Sequence, residues 1–309
     1  TNEIKDKILS LGRNKDFDII ITEIGGTVGD IESLPYVEAV RQLKWELGEE
    51  NSLVIHLTLI PYLSAAAELK TKPTQHSVKT LMESGVNADI IVCRTEHKLS
   101  NAIKNKIALF CNVKNEAVIE SIDAETIYDV PILMQKERLD KVVLKKLGLS
   151  TIKSSKMDRW KVFLDKLKNS NKIVKIGLIG KYVELQDSYK SILESLTHAG
   201  VANEVKVEII TIHSESINDN NLSELLVRLN GIIVAPGFGE RGIEGKIKAI
   251  RYSRENSVPF LGICLGMQMA VIEYARNVLK LEDVNSTEMK ENCKNPVISL
   301  MENQKSVVN

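Results

Sequence analysis

Two turns in the second half of the chain carry residue types suited to acyl transfer. Residues 262 to 266 read Gly-Ile-Cys-Leu-Gly. A G-x-C-x-G turn between a strand and a helix is the thiol counterpart of the G-x-S-x-G nucleophile elbow. Small residues on either side let the chain bend sharply and turn the thiol outward at a helix N-terminus, whose dipole and free N–H groups favour a thiolate. An isolated free cysteine is more often a small core residue; here the elbow context and Gln268 favour the nucleophile. Residues 231 to 242, "GIIVAPGFGERG", end another apolar run in a glycine-rich loop that can offer backbone N–H groups to an oxyanion. Taken alone, that loop is equally an ordinary connection.

The first half has its own cluster. Glu23, Asp30 and Glu32 surround three glycines in "ITEIGGTVGDIESLPY", residues 21 to 36, directly after the apolar run Phe17 to Ile21. An apolar strand ending in an acid resembles the Walker-B arrangement, in which a carboxylate holds Mg2+ beside phosphates. A solvated acidic loop is the plain alternative, for which "GGTVG" is an odd sequence. "KTKPTQ", residues 70 to 75, sets two lysines, two hydroxyls and an amide before a helix. That is a natural anion site, or equally a helix cap with solvated lysines. His56 and His76 have no evident partner and read as structural.

The elements that must position these groups alternate along the chain. "DFDIIIT" reads as a buried strand, "LPYVEAVRQLKWELG" as a helix, "NSLVIHLTLIPYL" as a strand, and "PTQHSVKTLMESG" as a helix opened by Pro73. The strand "ADIIVCR", the helix "SNAIKNKIALFC", the strand "NEAVIES" and a closing helix "KERLDKVVLKKLG" follow. Residues 149 to 171 read as a linker and connecting helix. A second series starts at 172: strand "KIVKIGLIG", helix "QDSYKSILESLTHAG" ending at Gly200, strands "EVKVEIITI" and "GIIVAPG", helix "EGKIKAIRYSREN", strand "VPFLGICLG" and helix "MQMAVIEYARNV". The expectation is α/β: two doubly wound domains with mostly parallel sheets, residues 1–148 and 172–309, joined by 149–171.

Bulk properties narrow the class. The 309 residues are 43% hydrophobic and 27% charged, which is globular composition. Lys+Arg and Asp+Glu number 41 each, so no basic excess exists to bind nucleic acid non-specifically. No apolar run approaches the roughly 20 residues of a membrane-spanning helix, and no signal-peptide pattern opens the chain. Cys93, Cys111, Cys264 and Cys293 are widely spaced and read as reduced, which implies a cytoplasmic compartment.

"GICLGMQ", "PGFGERGIEGK" and "GKYVELQDSYKSI" resemble the class I glutamine amidotransferase domain of CTP synthases; "ITEIGGTVGDIESLPYVEAVRQ", "ELKTKPTQHSVKTL" and "KIALFCNV" resemble the synthetase domain, a P-loop-type amidoligase fold. The resemblance covers nearly the whole chain in the family's order. It implies ATP-dependent amination of UTP to CTP with ammonia from glutamine, in pyrimidine nucleotide biosynthesis. It implies Cys264 as the glutaminase nucleophile. The oxyanion would be held by the Leu265 amide and Gly237, and glutamine by these with Gly266, Met267, Gln268 and Glu288. It further implies Mg2+ at Glu23, and UTP or the inhibitor CTP at Asp30, Ile31, Glu32, Lys70, Thr71, Lys72, Pro73, Thr74, Gln75 and Lys106. ATP adenine would lie near Ile122, Asp123 and Ala124, GTP would act as activator, and the assembly would be a homotetramer.

The chain departs from the family pattern in three places. It reads "APGFG" where the family usually reads Pro-Gly-Gly-Phe-Gly, so Pro236 stands where a glycine is usual and offers no N–H. It holds no G-x-x-x-x-G-K-[ST] phosphate loop, and no histidine follows Cys264 to complete the triad. The expectation is a piece truncated at both ends that, alone, neither hydrolyses glutamine nor makes CTP. The rival readings are another two-domain amidoligase, which UTP binding would separate, and a non-catalytic nucleotide-binding or regulatory protein.

Overall fold

The computed structural model describes residues 1–13, 17–149 and 156–301. The chain divides into two compact units, Thr1–Arg159 and Trp160–Asn309.

In the first unit, α1 (Asn2–Ser10) precedes a loop and a short 3-10 turn at Ile31–Ser33, which leads into α2 (Leu34–Leu47). Next come β1 (Ile55–Ile60), a small antiparallel hairpin of β2 (Tyr62–Leu63) and β3 (Glu68–Leu69), α3 (Lys72–Glu83), β4 (Ile90–Thr95), α4 (Asn101–Phe110) and β5 (Val118–Ile122). The unit closes with α5 (Val130–Lys136) and α6 (Leu139–Lys146). The sheet is parallel in the order β1-β4-β5. Its central strand is buried on both faces, as a strand covered by crossover helices must be. One core layer joins Ile60, Ile91 and Cys93 to Val78 and Leu81 of α3 and Ile107 of α4. The opposite face packs Ile90 and Ile119 against Val142 of α6.

The expected strand over 17–21 does not form. Residues 17–25 carry no strand, and Ile21 is 91% exposed. A parallel strand exists only through its ladder bonds, and among the described residues this run has no ladder partner. Strand β1 is correspondingly an edge, with Leu57 65% and Leu59 56% exposed. The expected closing helix also divides. Arg138 takes a left-handed φ of 62° between α5 and α6, a conformation that a continuous helix cannot contain.

The second unit begins with α7 (Asp158–Asn169), which crosses the division, and continues with β6 (Lys172–Gly180), α8 (Lys190–Ala202), β7 (Val205–His213) and α9 (Leu222–Leu226). Then follow β8 (Gly231–Val234), α10 (Ile243–Glu255), β9 (Phe260–Gly262), α11 (Leu265–Asn277), β10 (Val284–Ser286) and β11 (Asn295–Ile298). The main sheet is parallel throughout, in the order β7-β6-β8-β9. Helices α10 and α11 bury Ile247, Ile250, Met269 and Ile272 against Ile232 and Val234. Helix α8 runs to Ala202 instead of stopping at Gly200. Gly200 is buried inside the last turn, where a Cβ would stand 2.8 Å from the Val205 carbonyl oxygen. That glycine serves close helix–strand packing, not the helix end.

Candidate functional site

The parallel register brings the ends of three adjacent strands to one edge of the second unit. β9 ends at Gly262 and passes through Ile263 into Cys264; the Ile263 N–H donates to the Val234 carbonyl at 3.0 Å and the Gly266 N–H to the Ile263 carbonyl at 2.9 Å. Cys264 is exposed and has φ 52° and ψ −111°, a strained conformation for a residue with a Cβ. Helix α11 starts at the next residue, so the thiol stands at its N-terminus. The turn is tight enough that Gly262 and Gly266 have no room for side chains: a Cβ on Gly262 would lie 2.6 Å from the Gly266 carbonyl carbon, and one on Gly266 would lie 2.1 Å from the Val234 oxygen. These are the features of a nucleophile elbow.

β8 ends beside β9 and opens into the loop 235–242. The Ala235 N–H donates to the Ile179 carbonyl at 2.9 Å, which carries the sheet ladder one residue past the strand. Gly237 then lies against Leu265, the residue after the cysteine: a Cβ on Gly237 would be 3.5 Å from a Leu265 methyl. The glycine loop therefore packs on the side chain that directly follows the expected nucleophile. Gln268 sits in the first turn of α11, its N–H bonded to the Cys264 carbonyl at 3.1 Å. Met267 instead faces an apolar groove of about 440 Å³ with Ala270, Val271 and Tyr274. Glu288 is exposed just after β10, its N–H bonded to the Ser286 hydroxyl at 3.2 Å, and its charge reaches Lys181.

Two lysines inside this site have no expected role from the sequence. Lys246 is 0% exposed and Lys181 3% exposed. The Lys246 ammonium donates to the Ala235 carbonyl at 2.8 Å, and Lys181 donates to the Phe238 and Gly239 carbonyls at 2.5 and 2.6 Å. Burial pulls Lys246 down from 10.5 to about 8; the Lys181 charge lowers it further and the nearby Cys264 side chain opposes this. Lys181 is lowered too, by burial first and then by Arg241. The signal was present in the sequence. Lys246 sits three residues after Ile243 and four before Ile250, on the apolar stripe of α10.

In the first unit the expected nucleotide residues lie on loops and on the first turn of α3. The Asp30 carboxylate accepts the Thr27 N–H at 3.1 Å, and Asp30, Ile31 and Glu32 are exposed. The glycine loop runs alongside α3, where a Cβ on Gly29 would touch the Thr80 methyl at 3.4 Å. At the start of α3, Thr74 is buried and donates to the Leu59 carbonyl at 3.1 Å, while Thr71 accepts from the Gln75 amide at 3.0 Å. Lys72 and Pro73 are exposed, Lys70 is half-buried and paired with Glu68, and Lys106 is exposed on α4. Ile122, Asp123 and Ala124 lie at the end of β5, with the Asp123 N–H bonded to the Thr95 carbonyl at 2.9 Å and its carboxylate accepting from Arg94 at 3.2 Å. His56 is buried, and Nε2 lies 2.9 Å from the Ser77 hydroxyl, a structural role. Burial lowers its pKa.

Residues 1–149 match the CTP synthase N-terminus family, and residues 184–308 match the class-I glutamine amidotransferase family. The chain belongs to the CTP synthase family. It is 70% identical over 307 residues to a CTP synthase of Christiangramia forsetii, covering 99% of this chain and 56% of that protein. It is 66% identical to one from Flavobacterium johnsoniae, with 99% and 57% covered, and 55% identical to one from Bacteroides fragilis, with 100% and 58% covered. The chain thus spans just over half the length of the curated relatives it matches. Among solved structures, it is similar to the glutaminase domain of Trypanosoma brucei CTPS with bound acivicin, at 36% identity and a TM-score of 0.41, with 42% of this chain and 51% of that one covered.

The family generally needs Mg2+. Among the described residues, no group of three or more His, Cys, Asp or Glu is gathered to hold a metal. Glu23 is a single exposed carboxylate. That fits Mg2+ as the ion is commonly held at nucleotide sites, by one or two carboxylates completed with water and phosphate oxygens. Among the described residues no helix is long and apolar enough to cross a membrane.

Proposed function

We propose that this chain is part of a glutamine-dependent CTP synthase, with the glutaminase nucleophile in the second unit and the nucleotide site in the first. The observation that carries the reading is the strained, exposed Cys264 beside Gly237 and Leu265, in a chain whose first half matches the synthetase part of the same family. The Cys264 sulfur attacks the glutamine side-chain carbonyl, the displaced electron pair moves onto oxygen, and that oxyanion accepts hydrogen bonds donated by the Leu265 and Gly237 N–H groups. Pro236 contributes no donor, so the role falls to its neighbours. Collapse of that intermediate, with the proton from the thiol delivered to the leaving nitrogen, expels ammonia and leaves an acyl-cysteine, which water hydrolyses to glutamate and the free thiol. Gly266 and Gln268 shape the glutamine pocket, Met267 contributes only its backbone there because its side chain lies in the apolar groove, and Glu288 holds the substrate ammonium by a charge-assisted bond.

In the first unit, ATP phosphorylates the uracil 4-oxygen of UTP, which makes it a leaving group, and ammonia displaces the phosphate to give CTP. Asp30, Ile31, Glu32, the segment Lys70–Gln75 and Lys106 hold UTP, or CTP as an inhibitor. Ile122, Asp123 and Ala124 lie along the adenine. Mg2+, when bound, would neutralise phosphate charge, and Glu23 would contribute one ligand. GTP as activator, a homotetramer and a cytoplasmic location complete the reading.

The test uses the full-length protein that carries these residues. Cys264→Ala should abolish CTP formation from glutamine and leave formation from free ammonia, because the two sites are separate. Retained glutaminase activity in that variant would overturn the assignment.

A further inference from the structure

We infer that Lys181 and Lys246 are positioning residues that set the shape of the oxyanion loop, two buried ammonium groups gripping three of its carbonyls. The inference rests on the reading of Cys264 as nucleophile and deepens it. Lys181 follows the end of β6 and Lys246 comes from α10, so the two reach the loop from different elements. Between them they take the carbonyls of Ala235, Phe238 and Gly239. Gly237 is the residue between these anchors. A Cβ there would lie 3.7 Å from the Lys246 ammonium nitrogen, 3.8 Å from Lys181 Cδ and 3.5 Å from Leu265.

The physical logic lies in the peptide plane. A trans peptide points its C=O and its N–H in opposite directions. Pinning the Phe238 and Gly239 carbonyls on Lys181 therefore turns the N–H groups of Gly239 and Glu240 away from that ammonium. Pinning Ala235 fixes the near end of the loop just before Pro236, whose ring limits φ. With both ends fixed, the Pro236–Gly237 and Gly237–Phe238 peptides are the part left to adjust. Burying a lysine costs several kcal/mol unless its ammonium is paired or hydrogen-bonded. Here the hydrogen-bond partners are carbonyls; Glu215 and Glu288 act on Lys181 only through space, and no carboxylate among the described residues pairs with Lys246, so positive charge remains beside the loop. That is a favourable place for a negative oxygen to develop and an unfavourable one for anything else. The depressed Lys246 pKa, caused first by burial and then by the Lys181 charge, agrees with this placement.

The experiment separates oxyanion support from general reactivity. The full-length protein that carries these residues and its Lys181→Met and Lys246→Met variants are treated with two probes, each followed at Cys264 by mass spectrometry. A glutamine-like aldehyde adds reversibly: the thiol proton is lost to solvent, a sulfur–carbon bond forms, and the carbonyl π pair moves to oxygen, which leaves an oxyanion facing the loop. Iodoacetamide forms a sulfur–carbon bond at a saturated carbon and expels iodide, with no oxyanion. The expected result is a loss of aldehyde affinity of about tenfold or more, at the lower edge of what removing one oxyanion donor costs. Iodoacetamide rates should stay within about twofold. Equal loss with both probes, or no loss with either, would overturn the inference. A parent chain whose Cys264 takes up no aldehyde would overturn the nucleophile reading instead, which is a distinguishable failure. Methionine fills nearly the same space as lysine, and unfolding midpoints check each variant independently.

Discussion

Gly266 stands directly over the carbonyl of Val234: a Cβ on Gly266 would fall 2.1 Å from that oxygen. The oxygen has little freedom to retreat, because it also accepts the Ile263 N–H at 3.0 Å inside the elbow itself. A Gly266→Ala change should therefore destabilise the second unit by about 3 kcal/mol, the upper part of the range for overpacking a core. Urea unfolding would measure it. A cost below about 0.5 kcal/mol, the level of a neutral surface change, would show that the elbow is looser than its geometry indicates.

The four cysteines should differ sharply in reactivity. Burial pushes the Cys93 and Cys111 thiols up to about 11. Thiolates react and thiols do not, and both side chains are also buried in the core of the first unit. Cys264 is exposed and Cys293 half-buried. Brief iodoacetamide treatment of the folded chain near pH 8 should label Cys264 and spare Cys93 and Cys111, while unfolded chain should label all four. Early modification of Cys93, read by peptide mapping, would contradict the buried placement of β4.

Lys246 should give stability a distinctive pH dependence. Its pKa falls from 10.5 to about 8 on folding. Between those values the unfolded chain binds more protons than the folded one, so this residue makes stability rise with pH; below about 8 the full cost of burying the charge is present. Lys246→Met removes that cost. The stability of the variant relative to the parent should therefore be greatest at or below about pH 8 and shrink toward 10.5, by at most about 1.4 kcal/mol per pH unit. The lost bond to Ala235 is a constant offset, and the buried thiols act equally in both proteins. Unfolding curves for the pair at several pH values give the difference directly; a difference that does not vary with pH would place the Lys246 ammonium in water.

Lys72 offers a test of the nucleotide site. It is exposed in the first turn of α3, whose free N–H groups and dipole favour an anion. Under the proposed function, Lys72→Ala in the full-length protein should weaken UTP and CTP binding by about 1.5–3 kcal/mol, the value of a hydrogen bond to a charged group. Equilibrium binding of CTP is the measurement. Unchanged affinity would remove Lys72 from the site.

The sequence by itself determined the family and most of the elements. Alternating apolar runs and helical stripes were legible because a strand in a parallel sheet is buried on both faces and a crossover helix on one. The elbow was legible because only glycine fits where two backbones nearly touch, and "GICLG" places glycines at both such points. The family resemblance was legible in "GGTVGDIES" and "KTKPTQHSV", which no composition argument could supply.

Tertiary structure decided the rest. The run Phe17 to Ile21 has a strand's composition but no ladder partner among the described residues, and strand formation is a property of the pair, not of the segment. The glycine at 200 looked like a helix end and proved to be a packing point against β7, because close approach and left-handed φ select the same residue. Lys181 and Lys246 carry no role expected from the sequence. Only the register of β6, β8 and β9 brings one from a strand end and the other from α10 onto the same loop, and a sequence lists neither strand order nor what faces a buried ammonium.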